Sequence, residues 1–219
     1  MANHELFDRS PMRLFDNISG GIKSGEFTLV TSKKGLGKTS IMVQFGVDTL
    51  FKSEELIHIS FQKNESVINW YETIFAEIAK KKSISPETLH ELLKKRVILN
   101  LAQDERVFSR VESTLSAIIQ SGIAAKLVLV DDLDLTKIPP ENLAAFKTFA
   151  QKSGFSVVVS FTSESGIITK ELNAIFDSAL HIEAIQNDVE LTAVKLHGKT
   201  VDGVALKLDS KTLLITDKK

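Results

Sequence analysis

The sequence predicts an α/β fold: a mainly parallel β-sheet flanked by helices, with a C-terminal antiparallel extension. Three observations carry this. Short apolar runs at 27–30, 56–61, 127–130 and 156–161 are continuous rather than alternating and rich in β-branched or aromatic residues. That is how strands buried on both faces of a parallel sheet read. Longer stretches with helical periodicity lie between them, and strand–helix alternation implies right-handed crossovers. The tail changes style, since 189–195 and 203–208 alternate apolar and polar residues before a last short run at 212–216, the signature of an antiparallel meander or hairpin.

Each element has its own justification. Phe27-Thr28-Leu29-Val30 opens the sheet and a helix is predicted over 39–51. The strand Leu56-Ile57-His58-Ile59-Ser60-Phe61 follows, then helices over 66–82 and 86–96. Pro86, after Ser85, suits a first helical turn, as does Pro140. A helix over 105–120 leads to Leu127-Val128-Leu129-Val130, and one over 140–153 leads to the strand at 156–161. Gly122 and Gly154 stand just before strands, where helices commonly stop.

With 219 residues, few Gly and Pro, no low-complexity linker and no repeat of fixed period, the chain reads as one domain. Its parts are an N-terminal arm (1–13), an α/β core (14–188) and C-terminal antiparallel strands (189–219). Hydrophobic residues make up 43% and charged residues 25%, which argues against disorder. The formal net charge of −1 gives no bulk basic field for nucleic acid. Without cysteine there is no disulfide, thiolate nucleophile or Cys-based metal site. The five histidines lack metal-ligand spacing. No signal-peptide core and no membrane-length apolar run is seen, so the expectation is a cytoplasmic protein with no membrane partner.

Two motifs carry chemistry. After Val30 come Thr31-Ser32-Lys33-Lys34-Gly35-Leu36-Gly37-Lys38-Thr39-Ser40 and a helical pattern. Gly37-Lys38-Thr39, between a buried strand and a helix, is the end of a Walker A loop. Such a loop cradles phosphate oxygens with successive backbone N–H groups, aided by the helix N-terminus. Residues 32–40 are therefore the candidate nucleotide-binding segment, with Lys38 for the β- and γ-phosphates and Thr39 for Mg²⁺. Ser32 stands where the first glycine of the pattern usually is. The second motif is Leu127-Val128-Leu129-Val130-Asp131-Asp132-Leu133-Asp134, an apolar strand ending in acid. Asp131 is the candidate Mg²⁺-binding carboxylate, whereas Asp132 and Asp134 read as turn or cap residues.

In front of the loop, Ile18-Ser19-Gly20-Gly21-Ile22-Lys23-Ser24-Gly25-Glu26 supplies a Gly-Gly entry and a short turn. Taken in order with the two motifs, this resembles the RecA-like P-loop ATPases, especially the branch of DnaB-type replicative helicases and KaiC-type ATPases. Asp131-Asp132-Leu133-Asp134-Leu135 is similar to that branch's Walker B extension, and the stretch 68–97 resembles its inter-strand helical segment. Val194-Lys195-Leu196-His197-Gly198-Lys199-Thr200 resembles the family's Lys-x-Arg-Gly element. The resemblance implies ATP and Mg²⁺ as ligands, and a homo-oligomer, with a hexamer as the family default, or a hetero-oligomer with a related ATPase. It also implies that Lys195 and His197 reach the nucleotide of a neighbouring subunit.

Departures from the family qualify the function. Gln62 occupies the likely position of the glutamate that activates water, with Lys63 beside it; an amide can orient a water but cannot take its proton at neutral pH. Glu65 is a candidate substitute whose ordinary role is a helix cap. His197 replaces the family's arginine and offers at most a partly protonated, single-point donor. The segments after Asp131 and after Phe161 are short and poor in basic or aromatic residues, so they lack the stacking platforms and positive groove that strand tracking needs. The expectation is an ATP- and Mg²⁺-binding protein with weak or absent hydrolysis, whose nucleotide occupancy controls assembly or partner binding. The alternative is an active nucleic-acid-dependent ATPase of the helicase or recombinase type. A small-molecule kinase is disfavoured by the absence of an Arg-rich lid.

Overall fold

The computed structural model describes residues 6, 8–61, 64–104, 107–163, 169–212 and 214–216. Its strands are β1 (Phe27–Ser32), β2 (Glu55–Ser60), β3 (Arg96–Asn100), β4 (Ala125–Asp131), β5 (Ser156–Thr162), β6 (Ser178–Ile185), β7 (Asp188–Leu196), β8 (Lys199–Thr200), β9 (Ala205–Leu208) and β10 (Ile215–Thr216). The helices are α1 (Arg13–Ser19), α2 (Lys38–Phe51), α3 (Asn64–Lys82), α4 (Pro86–Leu93), α5 (Val107–Gln120), α6 (Pro140–Ser153) and α7 (Lys170–Ile175). All strands join one sheet in the order β10-β9-β7-β6-β1-β5-β4-β2-β3, with β8 paired to β7. From β3 to β6 every pairing is parallel; from β6 outward every pairing is antiparallel.

The continuous apolar runs are explained by this position. Along β4, Leu127 and Leu129 pack on one face with Tyr71 and Ile74, while Val128 and Val130 pack on the other with Leu143 and Phe146. Helices α1 to α4 cover the first face, and α5 to α7 cover the second. Helix α2 is buried on every side except at Thr39, because β10 is tied to it from outside: the Gln44 amide oxygen accepts from the Ile215 N–H at 2.9 Å. Its polar residues Ser40, Gln44 and Asp48 are buried along with its apolar ones, so it is a core helix, and it starts at the candidate site.

Four sequence expectations are corrected. The helix expected over 86–96 ends at Leu93, and Arg96–Asn100 forms the edge strand β3. The run at 212–216 contributes only the two-residue strand β10. Strand β6 and the short helix α1 were not anticipated. Both are short on apolar signal, β6 because a serine, a histidine and a glutamate interrupt it. Ser85 caps α4 by accepting from the Thr88 N–H, with Pro86 in the first turn as expected.

Candidate functional site

The candidate loop joins β1 to α2 at the C-terminal edge of the parallel strands. Gly35 and Gly37 have φ of 84° and 90°, a left-handed backbone that side-chain-bearing residues adopt at a cost. Gly37 is the N-cap of α2 and no side chain caps the helix, so its first N–H groups are left for another acceptor. Ser32 is fully buried and donates to the Lys33 carbonyl at 2.7 Å. Lys38 folds back over the loop, its Nζ 3.4 Å from Ser32 Oγ. Burial holds the Lys38 ammonium below its usual pKa, opposed by the charges of Asp132 and Asp131.

Strand β4, separated from β1 by β5, delivers Asp131 to the same point. Its Oδ2 accepts from Thr39 Oγ1 at 2.9 Å and its Oδ1 from Ser160 Oγ of β5 at 2.6 Å. Asp131 is 1% exposed. Burial raises its pKa, while the two hydroxyl hydrogen bonds pull the other way. On its far side His58 Nε2 lies 3.9 Å from Oδ2 and has no hydrogen-bond partner among the described residues. His58 Nδ1 is 3.2 Å from the Tyr71 hydroxyl, and Arg96 stacks 4.4 Å from the centre of the Tyr71 ring. Complete burial, with the Arg96 charge adding to it, pushes His58 down to about 3, so the ring is neutral.

A cleft of about 610 Å³ opens above the loop. Lys34, Gly35, Leu36, Gly37, Lys38 and Thr39 form one wall, and Trp70, Asp132, Thr162 and Val189 form the others. Of the predicted segment, Thr39 bonds Asp131 and Lys38 lies within reach of its charge, Ser32 meets Lys38, Lys34 to Thr39 line the cleft, and Lys33 is exposed. Ser40 is buried beneath, against Gln44. Gln62 and Lys63 lie outside the described residues, and Glu65 is exposed at the start of α3.

Lys195 and His197 are not brought to this cleft. Lys195 pairs with Ala179 at the start of β6, the end of the sheet away from the loop. Its Nζ donates to the carbonyls of Asn173 and Phe176 at 3.0 and 2.7 Å. His197 Nδ1 is 2.8 Å from Glu26 Oε1, and its Nε2 is 2.7 Å from the Ser19 carbonyl. After β4 the chain makes a single 3₁₀ turn (Leu135–Lys137) capped by Asp134, the cap role expected of that residue. The segment after Ser163 includes 164–168, which lie outside the described residues.

Sequence reasoning missed His58, Ser160 and Thr162. A hydroxyl or imidazole inside an otherwise apolar strand was the available signal, since such a group needs a buried partner. No cluster of three acidic, histidine or cysteine residues able to hold a metal occurs among the described residues. The residues here that could hold a divalent cation are Thr39 and Asp131, a hydroxyl and a carboxylate already in contact. These are hard oxygen donors and fit Mg²⁺ completed by phosphate oxygens and water. Among the described residues no helix is long and apolar enough to cross a membrane. No protein-family model matches the chain, and no curated protein matches it.

Proposed function

We propose that this chain is a RecA-like protein of the DnaB/KaiC type that binds ATP, or a related nucleoside triphosphate, with Mg²⁺ in the cleft above residues 32–40. Occupancy of the cleft, rather than rapid turnover, controls assembly or the binding of a partner. The observation that carries this reading is the 2.9 Å hydrogen bond from Thr39, in the first turn of α2, to Asp131, at the end of β4, with the Lys38 ammonium beside it. A buried lysine, a buried acid and an uncapped helix start converge on one cleft, and the anion they suit is a metal-bound phosphate chain.

In this reading the Lys38 Nζ leaves Ser32 for the β- and γ-phosphates, and the N–H groups of residues 35–39 hold the phosphate oxygens. Thr39 Oγ1 and Asp131, the latter fixed by Ser160, are the residues that would hold a Mg²⁺ ion, which would supply charge neutralisation to the phosphates. Weak hydrolysis follows from the amide at Gln62, where the resembled family has a carboxylate. It follows also from Lys195 and His197, whose polar atoms are engaged within the chain.

Calorimetric titration of ATP–Mg²⁺ and steady-state hydrolysis, with and without single-stranded DNA, test the reading. The expected result is binding with slow, DNA-independent turnover. Lys38→Ala should weaken binding about 10- to 100-fold, the value of one charge-assisted contact. No binding by the unaltered protein would defeat the proposal, and fast DNA-stimulated turnover would restore the motor.

A further inference from the structure

Asp132 is the one acidic side chain among the described residues that line the cleft, and its conformation is held by more contacts than a turn needs. Its φ is 63°, a left-handed backbone that non-glycine residues adopt at some cost and that collects at functional sites. Its N–H donates to Ser160 Oγ at 2.7 Å. Its Oδ1 accepts from Thr162 Oγ1 at 2.9 Å, which aims the carboxylate along the end of β5. Gln103 approaches its carbonyl at 3.5 Å while binding the Asp134 N–H from the same side chain. The result is a carboxylate fixed from β5, on a backbone approached by Gln103 from the segment after β3, and close enough to Lys38 to act on its ammonium.

Resting on the nucleotide reading above, we propose that Asp132 orients the water that attacks the γ-phosphate, the task that Gln62 leaves without a carboxylate. A carboxylate is an acceptor only, so a water bound to it turns a lone pair toward phosphorus; an amide offers donors as well and leaves that orientation ambiguous. As the water oxygen bonds to the γ-phosphorus, the bond from phosphorus to the bridging oxygen breaks. Its electron pair leaves with the diphosphate, and the water's protons depart on the inorganic phosphate. Thr162 is the positioning residue for this group.

The test is the kinetics of Asp132→Asn on ATP–Mg²⁺, with the dissociation constant measured on the same protein. Asparagine is at home in a left-handed backbone, so the turn is preserved while the carboxylate is lost. The expected result is a kcat lowered about 10- to 100-fold with ATP affinity kept within about twofold, a split that a merely structural role would not give. Equal losses in kcat and affinity, or an unchanged kcat, overturn the inference. So does an unaltered protein that binds ATP but shows no turnover, which leaves the binding reading intact; failure to bind ATP at all would remove both. If Asp132→Asn does not fold, Thr162→Val carries the test: a severalfold lower kcat at unchanged affinity supports the assignment, and an unchanged kcat refutes it.

Discussion

At the scale of single residues, the floor beneath the site is set by side chains that leave one another no room. Gly46, in the middle of α2, faces Tyr71: a Cβ there would lie 2.3 Å from the Tyr71 hydroxyl and 3.2 Å from Leu129 Cδ1. Elsewhere in a helix, Gly→Ala is stabilising by roughly 0.5–1 kcal/mol. Here the sign reverses, because Tyr71 is fully buried and held between His58 and Arg96. Gly46→Ala should destabilise by about 1–3 kcal/mol, the range for overpacked cores, as read by urea denaturation. Adding Tyr71→Phe, which removes the clashing oxygen, should recover part of the loss; no recovery would place the strain elsewhere. The displaced tyrosine would also disturb His58, and through it the surroundings of Asp131.

At the scale of elements, the hairpin of β7 and β8 is built into its own chain. The Ser19 carbonyl can only accept, so His197 Nε2 is the donor to it at 2.7 Å, while Nδ1 lies 2.8 Å from Glu26 Oε1. Glu26 is buried and accepts also from Ser178 Oγ and the Lys23 N–H. His197→Ala should therefore cost about 1–3 kcal/mol by removing a donor from a buried carboxylate. On the proposed reading, distance from the cleft should keep ATP affinity within about twofold. Denaturation and titration of the same variant check this, and lost turnover at intact stability would instead return His197 to a neighbour's nucleotide. The same elements show what sequence reading can reach. Strands β1, β4 and β5 are legible because burial on both faces forces unbroken apolar runs. Strand β3 is not, since it is a half-buried edge of five residues that runs on from α4 with only two residues between. Strand β6 is not, since it lies where the sheet changes from parallel to antiparallel and carries His181 and Glu183. Within the site, Ser32, Lys38, Thr39 and Asp131 are legible by type and spacing. Ser160, Thr162 and His58 reach Asp131 and Asp132 only through strand adjacency, which no local pattern records.

At the scale of the whole molecule, the half-buried Asp16 and the buried His58 titrate in opposite senses across one pH window. Asp16 is raised from 3.8 to about 6, first by burial and then by Asp48. Between those values the folded state binds the proton that the unfolded chain has lost, so this stability is present below about pH 4 and lost as pH rises through 6. His58 is lowered from 6.5 to about 3 by burial. The unfolded chain then binds the extra proton, so that contribution is present above pH 6.5 and lost as pH falls. Near pH 5 each group contributes most of one proton, and the slopes oppose. Asp131, also raised by burial, acts in the sense of Asp16. Asp16→Asn should tilt the stability profile of the nucleotide-free protein toward loss in acid. One full proton is worth about 1.4 kcal/mol per pH unit, trimmed to about 1 by solvent screening at this half-buried carboxyl. His58→Asn should tilt the profile the other way by the full amount, since the imidazole is completely buried. Urea denaturation at pH 4, 5 and 6 on the three proteins measures both slopes. Parallel profiles for all three would mean that neither group titrates differently on folding, and that the acid response of the fold is set elsewhere.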